Sequence, residues 1–571
     1  MKKYLPLLLI LLLTGLLRIV SLDKYPAGLN ADEAAIGYNA WSLIQTGKDE
    51  HGVSWPIVFR SFDDYKLPGY FYLVLPFVKF LGMNVWSVRL PSAILGIASV
   101  FLVFLLCKKL FPKQKHLPGI SALLLAVSPW HLHFSRGGWE VNAATFFILL
   151  GVWAFLKACP PAGGALEKPK YYLLFVLSFV ISLYTYPTAR IVSPLLVLFL
   201  VIVYKEQLFS SFTGKKLKII LISLFVGIAL SIPIAIQLLS KEGQARFSGV
   251  SLLADTGPYW QALELRRGHP HELSSYVRVV HNQYLSYGLR FVKNYLSHYS
   301  PRFLFVTGDE IARSKVPGMG QSYLLLAPFY FLGLLWLFKL DSKEKKFILF
   351  WFLITPLAAA MTFQAPHALR AQNMVIPLTI ISAAGLSLVF NYIKSFKIKW
   401  LYPIFTAIIL LLGLYSVLRY LHLYYVHYPK ELPFAWQYGF DQIANYVKIN
   451  GDKYDKITVS DRYDQPYILM AFFLKYPPQT LQKELVMTPR DKFGFSTVRQ
   501  YGKFEFRAIN YSEDKKLSNT LIIAADESVD DKAVIFTIFD PAGKPMFKFF
   551  STSIVIARST SDAAIPASSE K

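Results

Sequence analysis

Long apolar windows alternate with polar connectors along most of the chain. Each window is close to the roughly 20 residues that a helix needs to cross a bilayer. The first window follows Lys2 and Lys3 without a small-x-small cleavage site after it, so we predict a retained first span. The other windows lie at 87–109, 116–134, 139–157, 171–188, 190–204, 217–239, 321–340, 346–363, 372–393 and 400–424. The pattern predicts an all-α polytopic membrane protein with about 11 transmembrane helices.

The connectors between the windows fall into two chemical classes. One class is rich in lysine and includes CKKLFPKQKH, FKLDSKEKK and NYIKSFKIK, whereas the other includes NADEAAIG, HFSRGGWE and FQAPHALR. Because Lys and Arg of short loops stay on the cytoplasmic side, the lysine-rich class is expected inside. This places the amino terminus inside, the first outer loop at 22–86 outside and, with an odd number of spans, the carboxy terminus outside.

Residues 68–82 test this topology. The segment PGYFYLVLPFVKFLG is apolar but short, and Pro76 interrupts it. Counting it as a span would reverse every later loop and place the lysine clusters outside. We therefore predict an interfacial or re-entrant helix.

Composition agrees with a membrane protein and limits the partners. Hydrophobic residues make up 54% of the chain and charged residues 17%. A formal net charge of +24 would suggest nucleic-acid binding in a soluble protein. Here the cytoplasmic lysines account for the excess, so no nucleic-acid partner is expected. The two cysteines, Cys107 and Cys159, both fall on the predicted cytoplasmic side, so a disulfide is not expected.

Two blocks lie outside the predicted spans. The long outer loop at 240–320 contains aromatic amphipathic segments that are typical of helices lying in the membrane interface. From about 430 the hydropathy drops, and the runs KITVSD, TLIIAAD and AVIFTIFD predict strands, with helices near 438–450 and 465–476 and a turn at PAGKP. We predict a transmembrane domain at 1–425, a small extracytoplasmic α/β domain at 430–558 and a disordered tail at 559–571.

The adjacent acids Asp32 and Glu33 are the first candidate for chemistry. Acids are common in loops, but two carboxylates just beyond a span are costly near lipid unless they face water, protein or a ligand. The outer connectors also carry several cationic or imidazole side chains: Lys66, Arg136, Arg190, Arg246, His367 and Arg370. A carboxylate base surrounded by cations suits displacement of an anionic leaving group, because the base accepts a proton from the attacking hydroxyl while the cations hold the departing phosphate.

Other polar positions have competing interpretations. Arg136, beside a Gly-Gly pair, either snorkels to headgroups from a tight hairpin or binds an anion. His367 and Arg370 would share a face if their segment were helical, or Arg370 is an interface residue. Arg190 is assigned to an aromatic belt, and His131 and His133 lack a matching cluster of metal ligands. Asp49, Glu50 and His51 are assigned to loop surface.

Several longer motifs resemble a known family. NADEAAIGYNAWSLIQTGKDEHGVSWPIVFRSFDDYKLPGYFYLVLPF, SVRLPSAILG, HFSRGGWEVNAATFF, FLFVTGDE and PHALRAQNMVIPL together resemble the bacterial dolichyl-phosphate-mannose–protein mannosyltransferase-like family. That family lies within the C-type glycosyltransferase superfamily, with the lipid A aminoarabinose transferase. The resemblance covers about residues 1–425, and a MIR-type β-trefoil insertion is not recognisable in the 240–320 loop.

The resemblance implies an inverting glycosyltransferase that takes a sugar from a polyprenyl-phosphate donor to a lipid, glycan or protein acceptor on the outer side of the plasma membrane. It implies that Asp32 is the general base and Glu33 its catalytic neighbour. It places substrate phosphate near four further side chains: Lys66, Arg136, His367 and Arg370. Asp63 and Asp64 resemble a metal-binding position of one branch, but no metal ligand is assigned. No cofactor is therefore predicted, with a divalent metal as the alternative.

Two other functions compete with transfer. A transporter or flippase of lipid-linked sugars would use the same charges as a polar pathway, but would place ionisable groups near the middle of its spans. A glycoside hydrolase needs two carboxylates across the scissile bond, and sequence neighbours such as Asp32 and Glu33 need not converge on one substrate.

Overall fold

The computed structural model describes residues 4–62, 64–159, 170–209, 214–240, 243, 249–271, 274–339, 341–396, 398–489 and 496–552. This description does not include Asp63, the Asp64 side chain, Arg246 or the predicted tail at 559–571. Contacts divide the chain into two units, one up to Tyr438 and one from Gly439 to Pro489 and from Ser496 onward.

The first unit is built almost entirely of helices. Up to the long loop they are α1 Leu5–Ile19, α2 Ala31–Thr46, α3 Gly69–Leu81, α4 Val85–Leu110, α5 Leu117–Val127, α6 Pro129–Ser135, α7 Glu140–Ala158, α8 Lys170–Thr185, α9 Ala189–Val203, α10 Lys205–Phe209 and α11 Gly214–Leu239. The later ones are α12 Gly257–Arg267, α13 Ser275–Val280, α14 Gln283–Ser297, α15 Ala327–Phe338, α16 Lys343–Ile354, α17 Leu357–Ala360, α18 Val375–Ser395, α19 Leu401–His422 and α20 Tyr428–Glu431. A hairpin of β1 Phe59–Ser61 and β2 Asp64–Lys66 lies between α2 and α3.

Every predicted span window contains a helix, but the helices differ in length. Within the described residues, five are long and apolar enough to cross a membrane: Val85–Leu110, Glu140–Ala158, Leu217–Leu239, Gln372–Ser395 and Leu401–Glu431. Other windows contain apolar helices of 10–17 residues, including α1, α8 and α9. The chain is a multi-pass membrane protein, while the number of 11 spans and their orientation stay predictions.

The window at 116–134 is broken rather than continuous. Its two helices, α5 and α6, meet at Ser128 with a bend of 57°. Pro129 starts α6 and cannot donate a backbone hydrogen bond, while the Ser128 side chain caps the new helix by accepting from His131 N–H. The bend carries the residues just after α6 toward the polar end of α1.

Segment 68–82 and the long outer loop have the predicted local structure. Helix α3 covers 13 residues, too few for a straight span. In the loop, α14 is amphipathic and leaves large apolar side chains exposed, among them Tyr284 and Leu289. Their position in a membrane interface stays a prediction.

The second unit is a mixed seven-stranded sheet with helices. Its strands are β3 Lys456–Val459, β4 Val486–Met487, β5 Val498–Tyr501, β6 Phe504–Phe506, β7 Thr520–Ala524, β8 Val534–Phe539 and β9 Pro545–Ser551, in the order β4-β5-β6-β3-β7-β9-β8. Its helices are α21 Phe440–Asn450, α22 Pro466–Leu474, α23 Pro478–Glu484 and α24 Tyr511–Asp514. Strand β3 is parallel to β6 and β7, and β7 is buried along its whole length, as its unbroken apolar run requires.

Most elements of the second unit match the sequence patterns. The runs KITVSD, TLIIAAD and AVIFTIFD form β3, β7 and β8, and PAGKP turns the chain between β8 and β9. Strands β4, β5 and β6 were missed because each has only two to four residues, too few to establish an alternating pattern.

Candidate functional site

The first turn of α2 separates the two adjacent acids. Asn30 caps the helix by accepting from Glu33 N–H at 3.1 Å, and Ala31 N–H donates to Gln437 Oε1 at 2.6 Å. Successive helical residues point about 100° apart. As a result the Glu33 side chain is 1% exposed, while that of Asp32 is 31% exposed.

Glu33 lies in a buried ion pair with Arg89 of α4. Arg89 Nε donates to Glu33 Oε1 at 2.8 Å and Arg89 Nη2 to Oε2 at 2.9 Å. Gly138 N–H donates to Oε1 at 2.7 Å, and Asn30 N–H to Oε2 at 3.3 Å. Charge and hydrogen bonds satisfy both oxygens, as a buried carboxylate requires. Glu33 therefore ties α2 to α4 and to the turn after α6.

Arg89 also organises the chain before α2. Its Nη1 donates to the carbonyls of Leu22 and Pro26, each at 3.1 Å, and its Nη2 to that of Gly28 at 2.5 Å. One side chain thus fixes the loop that leads to Asp32. Sequence reasoning missed Arg89, although an arginine inside the predicted span at 87–109 is the kind of intramembrane charge that marks a specific partner.

Gly138 permits the close approach of the turn to Glu33. A Cβ at this position would lie 2.8 Å from Val88 Cγ1 and 3.2 Å from Glu33 Cγ. The Gly-Gly pair noticed in the sequence therefore serves packing against a buried carboxylate.

Asp32 faces two cations from distant parts of the chain. Lys66 Nζ contacts Asp32 Oδ1, and Arg313 Nη1 lies 3.8 Å from Asp32 Oδ2. Lys66 is the last residue of β2, pairs with Phe59 across the hairpin and lies over the Phe62 ring at 4.8 Å. The structure thus brings together the predicted pair Asp32 and Lys66 and adds Arg313, which no sequence spacing indicated.

The backbone of Arg313 is anchored from the membrane-embedded helices. His133 Nε2 lies 2.7 Å from the Arg313 carbonyl, and Tyr428 Oη donates to the Ala312 carbonyl at 3.0 Å. His133 therefore holds a turn, and His131 Nδ1 accepts from Arg18 at 2.8 Å. Among the residues that the structure describes, no group of three His, Cys, Asp or Glu side chains could hold a metal ion.

Arg136 is bound by backbone carbonyls at the end of α1. Its guanidinium donates to the carbonyls of Leu17 at 2.8 Å, Val20 at 3.0 Å, and Ser21 and Tyr25 at 3.2 Å each. A guanidinium has five N–H donors, and the side chain is buried. These contacts neutralise the negative end of the α1 dipole and leave Arg136 directed at the protein rather than at a surface.

The PHALR segment is an irregular turn, not a helix, so His367 and Arg370 do not share a helical face. Asp309 holds the turn: its Oδ2 accepts from Ala368 N–H at 2.6 Å and lies 3.5 Å from His367 Nδ1. His298 Nε2 accepts from His367 N–H at 3.0 Å, so its proton is on Nδ1, facing the Asn294 carbonyl.

Both imidazoles of this turn favour the neutral form. Burial lowers the pKa of His298 to about 4. Burial also lowers the pKa of His367, with Arg370 and Arg313 adding to the effect while the Asp309 carboxylate opposes it. The buried His367 thus braces the turn that presents Arg370.

Arg370 lines a cavity of about 220 Å³. Its Nη1 donates to Thr362 Oγ1 at 2.7 Å. Arg190 lines the same cavity, so the residue assigned to an aromatic belt lies beside a second arginine. Tyr65 and Leu67, which flank Lys66 in the chain, also line this cavity.

An apolar cleft of about 430 Å³ lies along the same helices as this cavity. Helices α9 and α11 contribute to both, and α8 contributes to the cleft. The cleft has aromatic and aliphatic walls, including Phe175, Phe179, Val197, Leu224 and Ile228.

The assignment of Asp49 and Glu50 to loop surface is wrong. Both are buried at the end of α2. Asp49 Oδ1 accepts from the N–H groups of His51 and Val53 at 2.9 and 2.8 Å, and Glu50 Oε1 accepts from Asn39 Nδ2 at 3.0 Å. The Asp49 carboxylate pairs with backbone N–H groups of a tight turn and Glu50 with a side-chain amide of α2, which a charge pattern does not reveal.

Comparison with known proteins finds similarity over part of the chain. The model of the family described as dolichyl-phosphate-mannose-protein mannosyltransferase matches residues 66–234. Two proteins of Bacillus subtilis are similar over part of their length. "Putative mannosyltransferase YkcB" is 33% identical over 101 residues, which cover 18% of this chain and 13% of YkcB. "Putative mannosyltransferase YycA" is 29% identical over 170 residues, which cover 30% of this chain and 23% of YycA.

The fold is similar over almost the whole chain to solved structures of ArnT from Cupriavidus metallidurans. The apo form has a TM-score of 0.50 at 10% identity, over 97% of this chain and 98% of ArnT. The form bound to undecaprenyl phosphate has a TM-score of 0.50 at 11% identity, over 97% and 99%. At this identity the likeness concerns the fold.

The match to the family model over residues 66–234 and the two mannosyltransferase-like relatives support, over part of the chain, the resemblance that the motifs indicated. The helical fold is similar to that of ArnT.

Proposed function

We propose that this chain is a membrane glycosyltransferase that moves a sugar from a polyprenyl-phosphate donor to an acceptor on the outer face of the plasma membrane, with inversion. The observation that carries the proposal is the cluster of Asp32, Lys66 and Arg313 beside a cavity lined by Arg190 and Arg370. A partly exposed carboxylate next to cations suits a general base working against an anionic leaving group.

In the proposed reaction, the acceptor hydroxyl loses its proton to Asp32 as its oxygen attacks the anomeric carbon. The bond between that carbon and the phosphate oxygen breaks on the opposite face, which inverts the configuration. The electron pair leaves with the polyprenyl phosphate, whose added negative charge is stabilised by Lys66 and Arg370. Holding the hydroxyl and the anomeric carbon in line lowers the barrier further.

The donor lipid is proposed to lie along α8, α9 and α11. Its phosphate would occupy the arginine-lined cavity and its prenyl chain the apolar cleft of about 430 Å³. The ArnT fold has been solved with undecaprenyl phosphate bound, which supports a lipid phosphate of this class.

The other predicted site residues are proposed to position the reacting groups. Glu33 is engaged by Arg89 and Gly138, Arg136 by four carbonyls, and His367 by Asp309. Glu33 orders the helix that carries Asp32, Arg136 orders the chain that leads toward that helix, and His367 lies in the turn that presents Arg370 to the cavity.

The experiment that tests the proposal compares Asp32→Asn with Glu310→Gln in purified full-length protein in lipid nanodiscs. Polyprenyl-phosphate sugars are supplied with membrane extract, and sugar transfer is followed by mass spectrometry. Asp32→Asn should abolish turnover, with donor binding retained, while Glu310→Gln, an exposed acid, should keep wild-type transfer. A rate of transfer close to wild type in Asp32→Asn would overturn the assignment of Asp32 as the general base. Donor crossing the bilayer without any new glycoconjugate would favour transport.

A further inference from the structure

The Asp32 carboxylate has a different cation on each oxygen. Lys66 contacts Oδ1, and Arg313 lies nearest Oδ2. Both cations stabilise the charged form of the carboxylate. Movement of one of them away from Asp32 would make the carboxylate a better acceptor for the proton of the acceptor hydroxyl.

The two cations are held very differently. The Lys66 side chain is 5% exposed and lies on a paired strand, whereas that of Arg313 is 37% exposed. The Arg313 pair with Asp32 spans 3.8 Å, longer than a charge-assisted hydrogen bond. Exposed pairs of this kind contribute roughly 0–1 kcal/mol, so Arg313 can leave at little cost.

The backbone of Arg313 is fixed while its side chain can turn. His133 and Tyr428 hold the carbonyls of Arg313 and Ala312. Four residues before Arg313, Asp309 Oδ2 accepts from Ala368 N–H at 2.6 Å, in the turn that presents Arg370 to the cavity. The segment of Arg313 therefore contacts both the Asp32 carboxylate and the turn that carries Arg370.

From these contacts we infer that Arg313 is an exchangeable counterion, which pairs with Asp32 in the resting protein and moves to the phosphate of the lipid substrate. The inference rests on the proposed function. The donor phosphate is a diester with one negative charge, and the departing polyprenyl phosphate approaches two. The attraction for Arg313 thus grows as the sugar leaves, and Asp32 Oδ2 is uncovered for the acceptor proton.

The test is a double-mutant cycle on binding of undecaprenyl phosphate, which requires no turnover. The proteins are wild type, Asp32→Asn, Arg313→Gln and the double variant, all full-length in nanodiscs. Arg313→Gln should raise the Kd about tenfold, as loss of a charge-assisted contact does. The Kd of Arg313→Lys should lie between those of wild type and Arg313→Gln. Lys315→Gln, a control two residues further along the chain, should have the wild-type Kd.

The coupling between the two positions decides the inference. Asp32→Asn removes both the repulsion of the phosphate and the competitor for Arg313, so it should tighten binding. In the Arg313→Gln background that gain should shrink by about threefold or more, because no guanidinium remains to be released. Equal gains in both backgrounds, or an unchanged Kd in Arg313→Gln, would overturn the exchange.

Kinetics separate this result from the proposed function. If Asp32 is the base, Arg313→Gln should raise the donor KM and lower kcat, and Arg313→Lys should recover part of both. If the two positions are coupled in binding but no sugar is transferred, the counterion exchange of Arg313 is supported and the proposed transfer reaction is refuted. If wild type transfers sugar and Arg313→Gln has the same KM and kcat, the proposed reaction is supported and the counterion exchange is refuted.

Discussion

At the scale of single residues, two adjacent carboxylates have opposite environments. Asp32 is partly exposed between Lys66 and Arg313, whereas Glu33 is buried against Arg89. The helical rotation of about 100° per residue produces this separation, which the dipeptide in the sequence cannot show. The acid that reaches the surface is the one able to meet a substrate.

Glu33→Gln tests the positioning role of Glu33. The amide would leave Arg89 buried without its counterion, so we expect a loss of about 3–5 kcal/mol of stability. Thermal unfolding in detergent should show a lower Tm than wild type, while Asp32→Asn should unfold near the wild-type temperature. A Glu33→Gln protein with an unchanged Tm and no turnover would instead place Glu33 in the chemistry.

At the scale of elements, α2 is the support of the candidate base. It begins with a capping box between Asn30 and Glu33 and ends at Gly47, whose φ of 71° suits a glycine. The beginning of the helix fixes the direction of Asp32, and its end is locked by Asp49 and Glu50. The acidic loop is therefore a framework around one exposed carboxylate.

Asn30→Ala should weaken this support. Loss of the cap should cost about 1 kcal/mol, because the N–H of Glu33 loses its acceptor. The rate of sugar transfer should fall more in Asn30→Ala than in Ser342→Ala. Ser342→Ala is the matched control, because it removes the cap of α16, a helix that carries no residue of the cluster. Steady-state kinetics and Tm measured on both variants make the comparison, and equal activities would argue against α2 as the support.

At the scale of the whole molecule, the proposed chemistry depends on topology. The cluster and the lysine-rich connectors must lie on opposite sides of the membrane. Ser54, in the same predicted outer loop as Asp32 and Lys66, and Ser395, in a lysine-rich connector, are both exposed, and both native cysteines are buried. Cysteine labelling can therefore report each side with little background.

Ser54→Cys should react with an impermeant maleimide in right-side-out vesicles, whereas Ser395→Cys should react only after the vesicles are opened. The physical reason is the cytoplasmic retention of Lys and Arg. Labelling is read by gel shift, with the cysteines of the wild-type chain as background. The reverse pattern would place Asp32 inside and contradict an outer-face reaction.

Local patterns explain how much of the fold could be predicted. Long apolar windows contain helices because a span must satisfy its own backbone hydrogen bonds. The runs of β3, β7 and β8 were recognised because short runs rich in β-branched and aromatic residues, bounded by polar residues, are typical of strands. The break at Ser128 and strands β4 to β6 were missed, since bends and very short strands depend on neighbours rather than on periodicity.

The sequence by itself determined the membrane character of the first unit and the α/β nature of the second. It also indicated Asp32 and Lys66 as candidate site residues. These features could be predicted because hydropathy and local motifs are properties of short stretches of chain. Only the tertiary structure decided which charges meet. Arg89 reaches Glu33 across 56 positions, and Asp309 holds Ala368 across 59. Arg313, far along the chain, completes the surroundings of Asp32. Such contacts arise from packing of distant helices and loops, which no spacing in the sequence encodes.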